Sequence, residues 1–176
     1  MAKRALLWGL GGVALALLGV GGYWATTCPC DGTPGFVLRG DRHDERIDDW
    51  SFANDVDLCQ VQITVGWRPH SVNLNCMATE TGELFLSCSA GEQKYWCPKV
   101  GDDEPGRLRL DGVVYAVVLN RVTDPVTLDA AWKARIAKLQ DPDVLALQPP
   151  GLTRPPLDAE RPGSWWTFHV ESAPTG

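Results

Sequence analysis

Apolar and polar positions first separate a long N-terminal run from the rest of the chain. Residues 5–25 contain only apolar side chains and glycine. At about 1.5 Å per residue, a helix over this run spans roughly 30 Å, the thickness of one hydrocarbon core. Trp8 near one end, with Tyr23 and Trp24 at the other, lie where interfacial aromatic side chains are enriched. We therefore predict a transmembrane anchor over residues 1–25.

The charges before this run predict its orientation. Lys3 and Arg4 precede the apolar stretch and favour a cytoplasmic N-terminus, which exports residues 26–176. We expect a single-pass protein of the inner membrane, with lipid around residues 5–25 and a periplasmic or other extracytoplasmic domain. A cleaved signal peptide and a lipidated Cys28 are the alternatives, although neither processing signal is well formed.

Beyond the anchor, alternating apolar and polar positions predict short strands. In the first, Cys59, Val61, Ile63 and Val65 share one face. Gly66 to His70 reads as a turn because proline ends pairing there. Asp111-Gly112 is the strongest hairpin signal. The predicted strands are residues 58–65, 71–78, 83–89, 107–110, 113–120 and 165–170.

One amphipathic helix interrupts the strands. Asp124 is a suitable N-cap with Pro125 at the first helical position, and helical spacing continues to Gln140. Residues 26–48 read as a linker, in which His43 is expected to be solvated, and residues 141–163 as a proline-rich excursion. This pattern predicts a mainly β domain, a small antiparallel barrel or sandwich with one helix, over residues 49–172; residues 173–176 form a tail.

Composition narrows the class of protein. The 176 residues include 22 acidic and 16 basic side chains, for a net charge of −6, which argues against nucleic-acid binding. All six cysteines follow the anchor, and an oxidising compartment would let them form disulfides, with fifteen complete pairings open. Cys28 and Cys30 flank a single proline, so we expect each to find another partner or stay free. We predict no metal site, because paired C-x-x-C spacing is absent.

Few residues suggest acid–base or hydrolytic chemistry. No Ser-His-Asp spacing, phosphate-binding glycine loop or H-E-x-x-H motif occurs. His70 has two interpretations, a solvated turn residue or an acid or base that faces a ligand. His169, on the last predicted strand, reads as a packed or edge residue. The catalytic residues are therefore left unassigned.

The order of these elements resembles a known superfamily. The segments that carry the resemblance are 58–65, 71–73, 84–87, 91–96, the Asp111-Gly112 hairpin, and Arg121-Val122-Thr123-Asp124-Pro125 before the helix. Together they resemble the flavin-binding split barrels, the pyridoxamine-phosphate-oxidase-like superfamily, and particularly uncharacterised members with one N-terminal membrane span. The resemblance covers residues 50–172 and implies an antiparallel split barrel of about six strands.

The resemblance also implies a flavin site. Ser89 and Lys94 match its phosphate-binding loop, Ser71 and Asn73 match positions beside the flavin ring, and Trp96 would border that ring. Additional basic residues are usual on the second strand of such sites; here only Arg68 and Lys99 lie nearby. FMN is the expected cofactor, and a homodimer is expected because family sites form between two barrels.

Two functions follow as hypotheses. The first is a membrane-anchored, exported flavin-binding domain with oxidoreductase activity. The second is a barrel without a cofactor that serves as an accessory or assembly subunit of a larger membrane complex. The glycines of the anchor and the missing basic residues favour the second.

Overall fold

A computed structural model describes residues 2–30, 32–148 and 151–173. Pro149 and Pro150 of the predicted excursion, and residues 174–176 of the predicted tail, lie outside the described residues. The helices are α1 (Ala2–Thr27), α2 (Pro125–Lys138) and α3 (Pro142–Ala146). The strands are β1 (Asp41–His43), β2 (Cys59–Val65), β3 (Arg68–Leu74), β4 (Cys76–Ala78), β5 (Leu84–Cys88), β6 (Glu104–Leu110), β7 (Val113–Val122) and β8 (Trp166–Ser172).

The strands form one curled sheet in the order β3-β2-β6-β7-β8-β5-β4, with β1 added parallel to β7. All neighbours along the main path whose register is recorded are antiparallel. β3 and β4 are consecutive in the chain but lie at opposite edges, so the sheet must curl into a half barrel. The Cys59–Cys76 disulfide joins β2 to β4. The predicted mainly β, barrel-like fold is confirmed.

The inner face of the sheet encloses the core. On β2, Cys59, Val61, Ile63 and Val65 are buried, as the alternation predicts. They pack in one cluster with side chains from the opposite half of the sheet, including Leu86 and Phe168. Burying such apolar side chains stabilises the fold by about 1.5–3 kcal/mol each.

The outer face is covered by two different elements. α2 packs on the half formed by β4 and β5, where Met77, Phe85 and Ala131 form a small apolar cluster. Residues 32–43, here called the strap, cross the other half. Backbone bonds join Gly35 to Ser71 of β3, and β1 pairs with the start of β7.

The strap departs from the expectation of a solvated linker. Leu38 is only 2% exposed, and its amide donates to Oε1 of Gln62 at 2.8 Å. His43 is half-buried, with its ring 5.1 Å from that of Tyr115, so the prediction of a solvated histidine is wrong. Composition alone does not distinguish such a covered segment from a free linker.

The observed strand bounds and strand pairing correct two further predictions. The turn predicted over Gly66 to His70 contains only Gly66 and Trp67, because β3 begins at Arg68. Pro69 has no backbone N–H to donate, and it fits in β3 because β3 is an edge strand with no further strand beside it. The predicted strand over residues 71–78 is interrupted at Asn75, which separates β3 from β4.

The remaining differences are smaller. There are eight strands rather than about six, since β1 and the division between β3 and β4 were not expected. Asp124 caps α2 as predicted, by accepting from the amide of Thr127, but the helix ends at Lys138 instead of Gln140. The proline-rich excursion contains α3, which is capped by Asp141.

The N-terminal helix could cross a membrane, and the cysteines pair as disulfides. Residues Trp8–Thr27 of α1 are apolar and long enough to cross a membrane, and none of that span is buried by the rest of the chain. The disulfides are Cys28–Cys30, Cys59–Cys76 and Cys88–Cys97. The expectation that Cys28 and Cys30 would not pair with each other is therefore wrong. Three disulfides indicate an oxidising compartment.

Candidate functional site

A hairpin turn and a disulfide-bonded loop meet at one rim of the half barrel. Gly66 has a φ of +65° and occupies the first position of the two-residue β2–β3 turn, where a left-handed conformation favours glycine. This turn projects Trp67, which is 89% exposed. Arg68 follows as the first residue of β3.

The second part of the rim is the loop after β5. The Cys88–Cys97 disulfide closes this loop. Lys94 and Tyr95 are exposed on it, and the Tyr95 ring lies 5.2 Å from the ring of His70. The guanidinium of Arg68 lies 6.0 Å from the centre of the same ring. We call Trp67, Arg68, His70, Lys94 and Tyr95 the rim cluster.

His70 is the buried member of the rim cluster. Its position opposite Ile63 directs it to the inner face, and it is only 6% exposed. Burial lowers the pKa of His70, and the positive charge of Arg68 lowers it further. The imidazole is therefore neutral near neutral pH, with one ring nitrogen able to donate a hydrogen bond and the other able to accept one.

The rim cluster combines two cations with exposed aromatic surface. Guanidinium and ammonium groups bind phosphate or carboxylate through charge-assisted hydrogen bonds. Exposed Trp and Tyr rings offer flat apolar surface for stacking. The arrangement is therefore suited to an aromatic ligand that carries an anionic group.

Three of the five predicted cofactor residues belong to the loop after β5. Ser89 is exposed where the loop begins, and its carbonyl accepts from Oγ of Ser164 at 3.4 Å. Lys94 is exposed and directly precedes Tyr95. Trp96 instead is buried against Phe168, at 5.4 Å between ring centres, so it packs in the core behind the loop.

The other two predicted residues face the opposite side of the sheet. Ser71 and Asn73 alternate with the inward His70 and therefore lie on the outer face of β3. Ser71 is fully buried beneath the strap, and Oδ1 of Asn73 accepts from Nε2 of Gln60 at 2.8 Å. Within a single chain, the five residues therefore do not share one site. Ser89 and Lys94 lie on the loop, Trp96 lies in the core, and Ser71 and Asn73 lie on the outer face of β3. Their binding of a cofactor stays a prediction.

Sequence reasoning left Trp67 and Tyr95 out of the site. A signal for Trp67 was available, because glycine followed by a large aromatic at a hairpin tip exposes that ring. Tyr95 had no comparable local signal, since Tyr95-Trp96 does not reveal which ring faces solvent. Among the described residues, no group of three or more His, Cys, Asp or Glu side chains could hold a metal ion.

The comparisons with known proteins give one structural similarity. No protein family matches the chain, and no curated protein matches it. A solved FAD-binding protein from Mycobacterium smegmatis is similar with a TM-score of 0.38 and 15% sequence identity, over 75% of this chain and 93% of that one. A TM-score of this size does not establish a shared fold, so the architecture described above rests on the strand pairing alone.

Proposed function

We propose that the chain is a membrane-anchored flavin-binding domain of the split-barrel kind, with FMN or FAD at the rim cluster. The observation that carries this proposal is the contact of Arg68 and His70 with the exposed ring of Tyr95, next in sequence to Lys94. A flavin nucleotide has both groups that this chemistry suits, a flat aromatic ring and a phosphate. The curled antiparallel sheet agrees with the same interpretation.

Each member of the rim cluster has a distinct role in this proposal. Arg68 and Lys94 hold the phosphate, and Tyr95 and Trp67 cover the ring. His70, neutral because burial lowers its pKa, exchanges hydrogen bonds with polar edge atoms of the ring. A bound flavin supplies redox chemistry, so oxidoreductase activity is the expected outcome of binding.

The proposed site requires a second copy of the chain. The rim is open, with Trp67 and Tyr95 89% and 54% exposed. Ligand sites of drug-sized molecules usually enclose about 300–1,000 Å³. A facing copy would cover these rings and enclose the ligand, so we propose a homodimer. The anchor would hold both domains on the extracytoplasmic side of an inner membrane, where the disulfides persist.

Flavin binding is tested on the full-length protein in a neutral detergent. FMN and FAD are titrated separately, and binding is followed by flavin fluorescence and by the visible spectrum. We expect Arg68→Ala and Lys94→Ala each to weaken binding about tenfold, since each removes one charge-assisted interaction. Lys133→Ala, which removes an exposed lysine from α2, is the matched control and should bind as the unmodified chain does.

Either of two results would refute the flavin proposal. One is a folded unmodified protein, by circular dichroism, that binds neither flavin. The other is unchanged affinity in both Arg68→Ala and Lys94→Ala. Mass measurement of the detergent-solubilised protein tests the dimer separately. A protein that is monomeric but binds flavin would refute the proposed homodimer and leave the flavin proposal standing.

A second candidate function is an accessory subunit without a cofactor. The burial of Ser71 beneath the strap and of Trp96 in the core favours it, because two of the five predicted cofactor residues are then unavailable to a ligand. The apolar anchor and the exposed Trp67 would contact neighbours in a membrane complex. Isolation from native membranes as a free monomer would contradict this function.

A further inference from the structure

A second charged feature lies on the outer face, apart from the rim cluster. The strap and the β6–β7 pair enclose an open groove of about 210 Å³. A single water needs about 10–15 Å³, so the groove admits a larger group. Its lining residues are Leu38, Arg39, Gly40, Arg42, His43, Asp44, Arg107, Val114 and Ala116.

The groove is cationic although the chain is acidic. Arg39, Arg42 and Arg107 contribute three positive charges and Asp44 one negative charge, a local balance of +2 in a chain of net charge −6. Among the described residues, only Arg42 of these arginines has an ion pair, to Asp44 at 3.9 Å, with side chains 77% and 83% exposed. Such an exposed pair contributes little, so the guanidinium groups remain available.

A fourth arginine fixes the wall of the groove. Arg109 donates from Nε to Oε1 of Gln60 and from a terminal nitrogen to the carbonyl oxygen of Arg39, the latter at 2.7 Å. Gln62 holds the amide of Leu38, the preceding residue. The backbone at Leu38 and Arg39 is thereby fixed to the sheet, which holds Arg39 at the wall of the groove that Arg107 also lines.

The histidine of the groove lies on the other face from the arginines. His43 pairs with Tyr115 in the β1–β7 register, and its ring lies 5.1 Å from the Tyr115 ring, which packs against the core. Arg42 and Arg107 pair with Val114 and Ala116, whose side chains alternate with that of Tyr115. The cationic part of the groove therefore consists of the guanidinium groups, without the imidazole.

We propose that this groove binds a phosphate group. Guanidinium groups match phosphate geometry through paired hydrogen bonds, and three arginines line this groove. A phosphate monoester carries about −1.5 to −2 charges near neutral pH, which balances the local +2 better than one carboxylate does. The group belongs either to a phosphomonoester lipid of the membrane, such as phosphatidic acid, or to a soluble phosphomonoester. This proposal does not depend on flavin binding at the rim.

Phosphate binding is measured by titration calorimetry on the full-length protein in a neutral detergent. Inorganic phosphate and glycerol 1-phosphate are the soluble probes, and dihexanoyl phosphatidic acid is the lipid probe. We expect saturable binding that Arg107→Gln and Arg42→Gln each weaken about tenfold or more, and that weakens with added salt. Arg154→Gln is the matched control, because Arg154 is exposed and does not line the groove.

The outcomes separate the two sources of phosphate. Much tighter binding of the lipid probe, sensitive to Arg107→Gln, supports a lipid headgroup. Comparable binding of glycerol 1-phosphate, equally sensitive, supports a soluble ligand. The proposal is overturned if no probe binds saturably, or if Arg107→Gln and Arg42→Gln bind every probe as Arg154→Gln does. Flavin affinity plays no part in this readout, so failure at the rim cannot be mistaken for failure here.

Discussion

The two halves of the outer sheet face are covered in opposite ways. Beneath α2 the contact is apolar, through Met77, Phe85 and Ala131. Beneath the strap it is polar, and hydrogen bonds from side chains such as Gln62 hold the covering segment. Apolar burial stabilises in proportion to area and without direction, whereas hydrogen bonds fix one register. Directed hydrogen bonds of this kind help to hold the strap on a defined path.

The two halves also differ in how far their positively charged side chains are buried. Under the strap, arginine side chains remain at the surface of an open groove. On the α2 side, Arg135 is 4% exposed, with its guanidinium 4.2 Å from the Trp165 ring, and burial lowers its pKa to about 10. Lys138 donates to the carbonyl of Ala53 at 2.7 Å, and burial lowers its pKa to about 8. Neither has a carboxylate in salt-bridge range among the described residues.

Removing apolar area beneath α2 should give the largest effect. Phe85 is fully buried in this contact. Phe85→Ala is expected to reduce the free energy of unfolding by about 3–5 kcal/mol, through lost burial and the cavity that remains. Urea unfolding of the full-length protein in detergent, followed by tryptophan fluorescence, measures it. Phe52→Ala, at a residue 37% exposed, is the comparison and should cost clearly less; equal losses would contradict this ranking.

Removing the buried ammonium on the same side should have the opposite sign. A folded-state pKa lowered from 10.5 to about 8 means that the charged lysine opposes folding fully below about pH 8. We expect Lys138→Met to stabilise the protein by about 2 kcal/mol near neutral pH, because relief of the buried charge exceeds the loss of the hydrogen bond to the carbonyl of Ala53. The gain should shrink as pH rises from about 8 to 10.5, because the unfolded lysine then also loses its proton.

The same unfolding assay at several pH values checks the Lys138 prediction. Lys133→Met, at an exposed position of the same helix, is the control and should change stability by less than about 0.5 kcal/mol. A gain from Lys138→Met that is independent of pH would contradict burial of the charge as its cause.

Removing one directed bond beneath the strap should give the smallest and most local effect. Gln62→Ala leaves the buried amide of Leu38 without its acceptor, at a cost of about 1–2 kcal/mol. Hydrogen exchange should become faster in the strap while exchange in α2 is unchanged. Gln93→Ala, at an exposed position in the loop after β5, serves as control. Equally faster hydrogen exchange in α2 would mean that the strap and α2 do not open independently.

Features set by neighbouring residues were predictable from the sequence. Asp111 and Gly112 both have positive φ, 44° and 84°, in the predicted hairpin. Asp124 and Pro125 begin α2 where expected, since capping and proline preferences act within one turn. The buried alternation of β2 follows because successive side chains of a strand point to opposite faces.

Features that depend on distant partners required the tertiary structure. Pro69 reads as a turn until β3 is known to be an edge strand. The rim cluster joins a hairpin tip to a loop beyond β5, and Ser71 and His70, adjacent in sequence, face opposite sides of the sheet. The apolar N-terminal helix, the strand and helix periods and the turn residues could be predicted from the sequence, because these are local. Strand order, the path of the strap and the residues that share a site were decided by pairing between distant segments, which no local pattern encodes.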